Sequence, residues 1–397
     1  MEWLVLDRQM LVFQEADQKL FGLHGSGAVL WEALWGDCGD RRPVSREQVR
    51  SAVAKLARSG CSSRASEIRA CADTFLAEWH GAGLITSAAG MTAAPPTPLT
   101  SSGAVARLRL KKHRASHVVA GCPVSIEAPA SLSASIGRVF GHLEGTQDLS
   151  TDIRLILRPG HTGYLAEAPD GETVTLATPS EVVVWLKVAL LEAILARDPG
   201  LVAFHAAGVE LDGGLVLLAG RSGAGKSTLA AALNATGCPL VGEDVVLFHA
   251  GSALFGGMAL SFAAKTGSWT ALDPYFADIG RLPVHVRPDG KSVKYLTPVR
   301  FGGDVHEHLR AIVVPHFEPG AVTELAPLCR VSTLIDLLDE ARNAHYHLSG
   351  PAFRALARAV AKANTFRLTY SSLAAALPLL KAASATGVGS GTRPAGE

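Results

Sequence analysis

Five apolar residues, Leu215-Val216-Leu217-Leu218-Ala219, run without a break into Gly220-Arg221-Ser222-Gly223-Ala224-Gly225-Lys226-Ser227. A short, continuously apolar run is what a strand buried on both faces looks like. The octet behind it matches G-x-x-x-x-G-K-[ST] at every fixed position. Ser227 to Ala235 then has helical character, with Gly237 placed to stop it. Strand, glycine-rich loop and helix in that order put the chain in the α/β class and predict a loop that grips phosphate. Glycines let the backbone take φ > 0 and turn its N–H groups toward phosphate oxygens. The helix adds the positive end of its dipole at the same point. The Lys226 ammonium suits the β- and γ-phosphates of a nucleotide, and the Ser227 hydroxyl suits Mg²⁺. The expected nucleotide contacts are Gly220, Arg221, Ser222, Gly223, Ala224, Gly225, Lys226, Ser227 and Thr228.

Such a loop alone does not separate an ATPase, a GTPase and a kinase, but its flanks carry chemistry. Upstream, Leu201 to Val209 is apolar except for His205, which stands 21 residues before Lys226. Downstream, Leu240 to Phe248 reads as a strand bearing two adjacent acids, Glu243 and Asp244, the second 18 residues after Lys226. Carboxylates in so apolar a run are costly unless a cation or a proton-transfer task compensates. Neighbours on a strand point to opposite faces, so one of the two is expected to face the loop. With both flanks apolar, periodicity leaves open which one.

In residue type and spacing, His205, Lys226, Ser227 and Asp244 resemble the HPr kinase/phosphorylase family and the HPr-kinase-like proteins around it. The likeness is sharp between His205 and Phe248 and extends loosely from Arg107 to about Leu380. It implies a PEP-carboxykinase-type P-loop core that uses ATP and Mg²⁺ to phosphorylate a hydroxyl, with Asp244, His205 and Lys226 as catalytic residues. Family spacing selects Asp244 as the group that takes the acceptor's proton, and gives His205 the task of orienting that carboxylate or contacting phosphate. One element departs from the family: its members hold Mg²⁺ with a glutamate further along, where Leu260 to Ser268 here has no acid. The metal is therefore expected to lean on Ser227 together with Glu243 or Asp244, and neither phosphorolysis nor HPr as substrate is carried over. Lys265 and Lys294 stand where the wider group tends to be basic, and are candidate contacts to phosphate or to an acidic acceptor.

Composition divides the rest. Ser87 to Gly103 is rich in Ala, Pro, Ser and Thr and reads as a linker (residues 87–103), leaving 104–383 as the P-loop domain. Residues 384–397, almost without large apolar side chains, are expected to be a disordered tail. Within residues 1–86, Leu4-Val5-Leu6 and Leu11-Val12-Phe13 predict a hairpin. Helices fit Gly27 to Trp35, Arg46 to Arg58 behind an N-cap at Ser45, and Ile68 to Trp79; Leu84-Ile85 would be a closing strand. That order, ending in Gly81-Ala82-Gly83-Leu84-Ile85, resembles the PqqD-like domains. The resemblance implies a winged-helix module that binds the leader of a ribosomally made precursor peptide by strand addition. DNA, the other partner of winged helices, is disfavoured because 37 basic residues face 36 acidic ones and no basic recognition helix is present.

No apolar run is long enough for a transmembrane helix; the densest, Val182 to Leu191, is interrupted by Lys187. The N-terminus lacks a signal-peptide pattern, and six cysteines without CxxC spacing suit a reducing cytoplasm. Leu108 to Leu195 reads as mixed strand and helix, closing in a helix from Glu181 to Leu195. His306-Glu307-His308 and His345-Tyr346-His347 lack a third ligand and read as loop or surface histidines. Arg310 to Glu318 is an expected strand, with Pro315 at an edge or its end. Helices over Val331 to Asn343 and Ala352 to Ala363 complete the domain.

Together the two resemblances imply an ATP-dependent kinase acting on a Ser or Thr hydroxyl of a ribosomally made precursor peptide. Residues 1–86 would hold the leader, a lasso-peptide pathway is the favoured setting, and the family hints at homo-oligomers. Two other readings stay open: a kinase for a small alcohol such as free serine, and a nucleotide-gated peptide chaperone that transfers nothing.

Overall fold

The computed structural model describes residues 2–7, 9–23, 112–145, 153–302, 309–342 and 348–385, with Trp31, Ala52 and Trp79 besides. They belong to two units, residues 1–109 with 349–354, and residues 110–348 with 355–397. In the first unit, β1 (Glu2–Leu6), β2 (Gln9–Gln14) and β3 (Lys19–Leu23) form an antiparallel meander. The expected hairpin is present, and β3 extends it; Lys19-Leu20-Phe21-Gly22-Leu23 lacks the alternation that announces a strand. Phe13 stacks on Phe353 with ring centroids 4.6 Å apart, Glu2 pairs with Arg354, and the Gly350 N–H donates to Glu15. Removing residues 1–86 would therefore uncover Phe353, which is fully buried. Trp31, Ala52 and Trp79 are helical and buried, and the two indoles meet edge to face at 5.2 Å. The remainder of the three expected helices, Leu84-Ile85 and the 87–103 linker lie outside the described residues.

The second unit opens with a five-stranded sheet of β4 (Lys112–Val119), β5 (Cys122–Pro129), β6 (Ile153–Pro159), β7 (Tyr164–Glu167) and β8 (Thr173–Leu176), in that order. Only the β5–β6 pair in it is parallel, with α1 (Ser133–Phe140) between them in the chain. Next comes α2 (Pro179–Arg197), longer at both ends than expected. Its start is over-determined: Pro179 sits at the first position, the Thr178 hydroxyl accepts from the Glu181 N–H at 3.2 Å, and the Glu181 carboxylate accepts from the Ala177 N–H at 2.9 Å. Val182, Leu186, Leu190 and Ile194 form one face of α2 and pack with Ile126, Leu155, Leu157 and Phe140.

Then follow β9 (Leu201–Phe204), β10 (Ala207–Leu211), β11 (Gly214–Leu218), α3 (Lys226–Ala235), β12 (Leu240–Gly242), β13 (Val246–His249) and β14 (Leu254–Gly257). After them come β15 (Phe262–Lys265), β16 (His285–Val286), β17 (Ser292–Leu296), β18 (Leu309–Phe317) and β19 (Glu324–Pro327). The chain ends in α4 (Arg330–Asp339), β20 (Ala341–Arg342), α5 (Gly350–Lys362), β21 (Asn364–Tyr370) and α6 (Leu373–Ala385). A six-stranded sheet has the order β12-β10-β11-β18-β21-β19, and its three central strands run parallel. A four-stranded sheet, β14-β13-β9-β20, and a three-stranded one, β15-β17-β16, complete the α/β architecture. Among the described residues no helix is long and apolar enough to cross a membrane.

Several sequence expectations change here. Leu240 to Phe248, expected as one strand, is two, and the apolar run Leu201 to Val209 is divided in the same way. The chain leaves β9 for β10 at His205-Ala206, and β12 for β13 at Glu243-Asp244-Val245, passing each time from the four-stranded sheet to the six-stranded one or back. Strands that change sheets make such corners through bends. At the second corner a Cβ on Gly242 would lie 2.2 Å from the Val245 carbonyl oxygen, and Asp244 takes φ 67°, a left-handed conformation that Asp tolerates better than most. The helix expected to reach Asn343 stops at Asp339, because Ala341-Arg342 pairs with β9. Pro315 lies in an interior strand, beyond the stretch of β18 that pairs with β11, so its missing N–H breaks no bond on that side. Ser384 is not the start of a loose tail: it is a buried residue of α6 whose hydroxyl bonds to Asp212 at 2.8 Å. Residues 386–397 and both histidine clusters lie outside the described residues.

Candidate active site

The carboxyl ends of the parallel strands β11, β18 and β21 come together around a cavity of about 380 Å³. In open α/β sheets this is where ligands bind. The loop after β11 takes the conformation that its glycines allow, with φ of 120°, 90° and 99° at Gly220, Gly223 and Gly225. Gly225 is doubly constrained, since a Cβ there would also fall 2.2 Å from the Tyr370 hydroxyl oxygen. Gly225→Ala is expected to cost about 1–3 kcal/mol of stability for the left-handed backbone alone. Displacing Tyr370 adds to that cost, readable as a lower melting temperature.

Ser222, Gly223, Gly225, Lys226, Ser227 and Thr228 line the cavity. Gly220, Arg221 and Ala224 do not line it; they shape the loop, the Ala224 N–H donating to the Arg221 carbonyl at 3.2 Å. The Lys226 ammonium donates to the carbonyls of Gly220 and Arg221. Burial pulls its pKa below the ordinary lysine range, against the carboxylates of Glu340 and Asp244 and with the help of Lys265.

The two sheet-switching corners bring His205 and Asp244 together. Because β9 pairs with β13 (Phe204 opposite Val246) and β10 with β12 (Gly208 opposite Gly242), the residues between must meet. His205 Nε2 lies 3.3 Å from Asp244 Oδ1, with each side chain about two-fifths exposed toward the cavity. On this broken strand both acids line the cavity, so the expected alternation does not apply. Their environments nevertheless differ sharply. Glu243 is 2% exposed; Lys187 Nζ reaches its Oε2 at 3.1 Å, and the Ala263 N–H points to its Oε1 at 3.5 Å. Lys187 Nζ stands 4.0 Å from Asp244 Oδ2 as well.

Charge follows from these contacts. Burial pushes the Glu243 carboxyl up, and Lys187 offsets that only in part. For Lys187, burial works against the ammonium, but two facing carboxylates win and hold its pKa above the usual lysine range. For Asp244, burial likewise pushes up, yet Lys187, His205, Arg287 and Lys226 outweigh it and leave the carboxyl below the ordinary aspartate range.

Of the two lysines expected near phosphate, only Lys265 lines the cavity. Lys294 pairs across the strands with Ala264 and Lys265 with Val293, so the two side chains leave opposite faces of the sheet. Lys294 is buried elsewhere, donating to the Ile279 carbonyl at 2.6 Å and lying 4.7 Å from the centre of the Trp269 ring. It is a packing lysine. The basic partners on this side of the cavity are Arg287 and Lys291, from the turn between β16 and β17, both anchored by Asp289 at 3.4 and 3.0 Å. On the strand ends stand Phe317, half exposed, and Tyr370, edge to face at 5.6 Å. Burial raises the Tyr370 phenol to about 12, so it stays a donor.

Among the described residues no three His, Cys, Asp or Glu side chains cluster as a metal cage. A hard cation bound through phosphate oxygens needs no cage. Ser227 and the partly exposed Asp244 offer it oxygen donors in one cavity, whereas both oxygens of Glu243 face Lys187 and Ala263. The sequence reading missed Lys187, Arg287, Lys291, Glu340, Phe317 and Tyr370. Lys187 alone left a signal, a charge inside the densest apolar run. In sequence, the chain matches no protein-family model, and no curated protein is similar enough to count as a relative.

Proposed function

We propose that this chain is an ATP-dependent kinase that phosphorylates a Ser or Thr hydroxyl of a ribosomally made precursor peptide. In this reading the second unit is an HPr-kinase-like core, and residues 1–86 form a PqqD-like winged-helix module that holds the leader in the cytoplasm. One observation carries the chemistry: the Asp244 carboxylate, 3.3 Å from His205, lines the same cavity as Lys226 and Ser227. The loop amides, Lys226, Lys265 and Arg287 would gather the phosphates, and His205 would fix the Asp244 carboxylate. Mg²⁺, held by Ser227 and an Asp244 oxygen, would neutralise phosphate charge. The acceptor oxygen bonds to the γ-phosphorus as the bond from that phosphorus to the β,γ-bridging oxygen breaks, ADP leaving with the electron pair. The acceptor's proton passes to Asp244. A carboxylate held at low pKa is a weak base, which suits a loose transition state in which the hydroxyl is deprotonated late.

Phe317 supplies an exposed aromatic face for the base. Stacking of this kind is worth about 1–3 kcal/mol, so Phe317→Ala should weaken ATP binding roughly five- to 150-fold with little change in melting temperature. Equal affinity by calorimetry would remove Phe317 from the base site. The reading as a whole is tested by incubating the full chain with γ-labelled ATP, Mg²⁺ and serine-containing peptides. Label on the peptide supports it. Peptide affinity that rises with ATP while no label transfers would favour a nucleotide-gated chaperone instead.

A further inference from the structure

A second cavity, of about 760 Å³, shares His205, Glu243 and Asp244 with the phosphate cavity. We infer that it is the acceptor site, and that it takes a peptide segment whose hydroxyl residue is flanked by apolar side chains. This rests on the kinase reading above and adds the acceptor's chemistry and the residues that select it.

Placement is the first argument. A group entering from this cavity meets the Asp244 carboxylate on its way to Lys226, the approach an acceptor hydroxyl needs. The second argument is the wall. Helix α2 has two apolar faces: Val182, Leu186, Leu190 and Ile194 serve the core, while Trp185, Val188 and Leu191, spaced three apart, line the cavity. Trp185 and Leu191 are partly buried against the core, while Val188 between them is 49% exposed, an apolar side chain that the fold leaves open to the cavity. Size is the third. Cavities of several hundred Å³ suit drug-sized ligands, and free serine would leave most of the apolar wall in contact with water. Charge supplies the last argument: Asp170, Glu172, Glu192 and Glu340 outnumber Arg197 and Arg342 along the lining, which disfavours an acidic segment.

Three synthetic peptides of equal length, each with one serine, test this on the full chain with ATP and Mg²⁺. The serine is flanked by Leu and Val in one, by Gly and Gln in the second, and by Asp in the third. The apolar peptide should be phosphorylated at least about tenfold faster in kcat/KM than the Gly/Gln peptide, with the Asp peptide slowest. Val188→Asp should erase that preference while ATP affinity and melting temperature hold. Binding is read separately, by anisotropy of a labelled apolar peptide with Ala in place of Ser, and should weaken about tenfold in Val188→Asp. Equal rates for the three peptides, free serine outpacing all of them, or no effect of Val188→Asp would overturn the inference and leave the kinase standing. Val188-dependent peptide binding with no transfer to any acceptor would do the reverse: the cavity would remain a peptide site and the kinase reading would fall.

Discussion

Asp244→Asn is expected to slow phosphoryl transfer about 10²- to 10⁴-fold, the usual worth of a positioned proton acceptor, with ATP still bound. Asparagine keeps the size of the side chain and a carbonyl for His205 to face, 3.3 Å away in the parent, but cannot take a proton. The pH dependence gives an independent reading. Burial alone would raise the Asp244 carboxyl, yet Lys187, His205, Arg287 and Lys226 hold it below the ordinary aspartate range. The acidic limb of kcat/KM should accordingly lie lower than for an unperturbed aspartate, and Asp244→Asn should lose that limb. The same depressed pKa stabilises the fold above the unfolded-state value and ceases to do so as pH falls through the folded one. Initial rates of label transfer from γ-labelled ATP, beside calorimetric ATP affinity, are the measurement. Transfer at the parent rate would show that another group takes the proton.

How much of this was legible in the sequence depends on whether the information was local. The strand, loop and helix from Leu215 to Ala235 lie within one stretch of chain, and the glycine spacing encodes the backbone that the loop adopts. His205 and Asp244 were found as residue types, but their meeting was not readable as strand geometry. Apolar residues continue on both sides of each corner, so hydrophobic pattern cannot tell one strand from two that belong to different sheets. What breaks the second strand is the close approach at Gly242 and the left-handed Asp244, visible only once the sheets are assembled. Lys265 and Lys294 failed as a pair for a related reason: pairing register decides which face each occupies, and their strands are separated by a long connection. Lys187 was visible as an anomaly, yet its partner Glu243 is 56 residues away in the chain. A buried charge in a sequence announces that a partner exists without naming it.

That pair gives the second large effect. Lys187→Met should lower stability by about 3–5 kcal/mol near neutral pH, the cost of leaving one member of a buried ion pair without the other. Lys187 and Glu243 are 17% and 2% exposed, so little water reaches the carboxylate to replace the lost ammonium. In the parent, the raised pKa of Lys187 makes its contribution complete below the unfolded lysine value of about 10.4, fading only as pH climbs through the folded value. In the variant, burial and the neighbouring Asp244 charge act on Glu243 against the Ala263 N–H alone and push its carboxyl further up. An acid with a raised folded pKa costs stability wherever the unfolded chain ionises first, from about pH 4.3 upward for glutamate. The deficit should therefore shrink as the variant is acidified toward that value and widen toward neutrality, the opposite of ordinary acid destabilisation. Adding Glu243→Gln should return much of the loss, because the orphaned charge is then gone. Asp244 loses the cation that lowers its pKa most, so the acidic limb of the rate profile should move up in Lys187→Met. Denaturant unfolding of the parent, the single variants and the double variant at acid and neutral pH reads all of this. A single variant as stable as the parent, with no pH trend, would mean that Glu243 is carried protonated and that the lysine serves neither carboxylate.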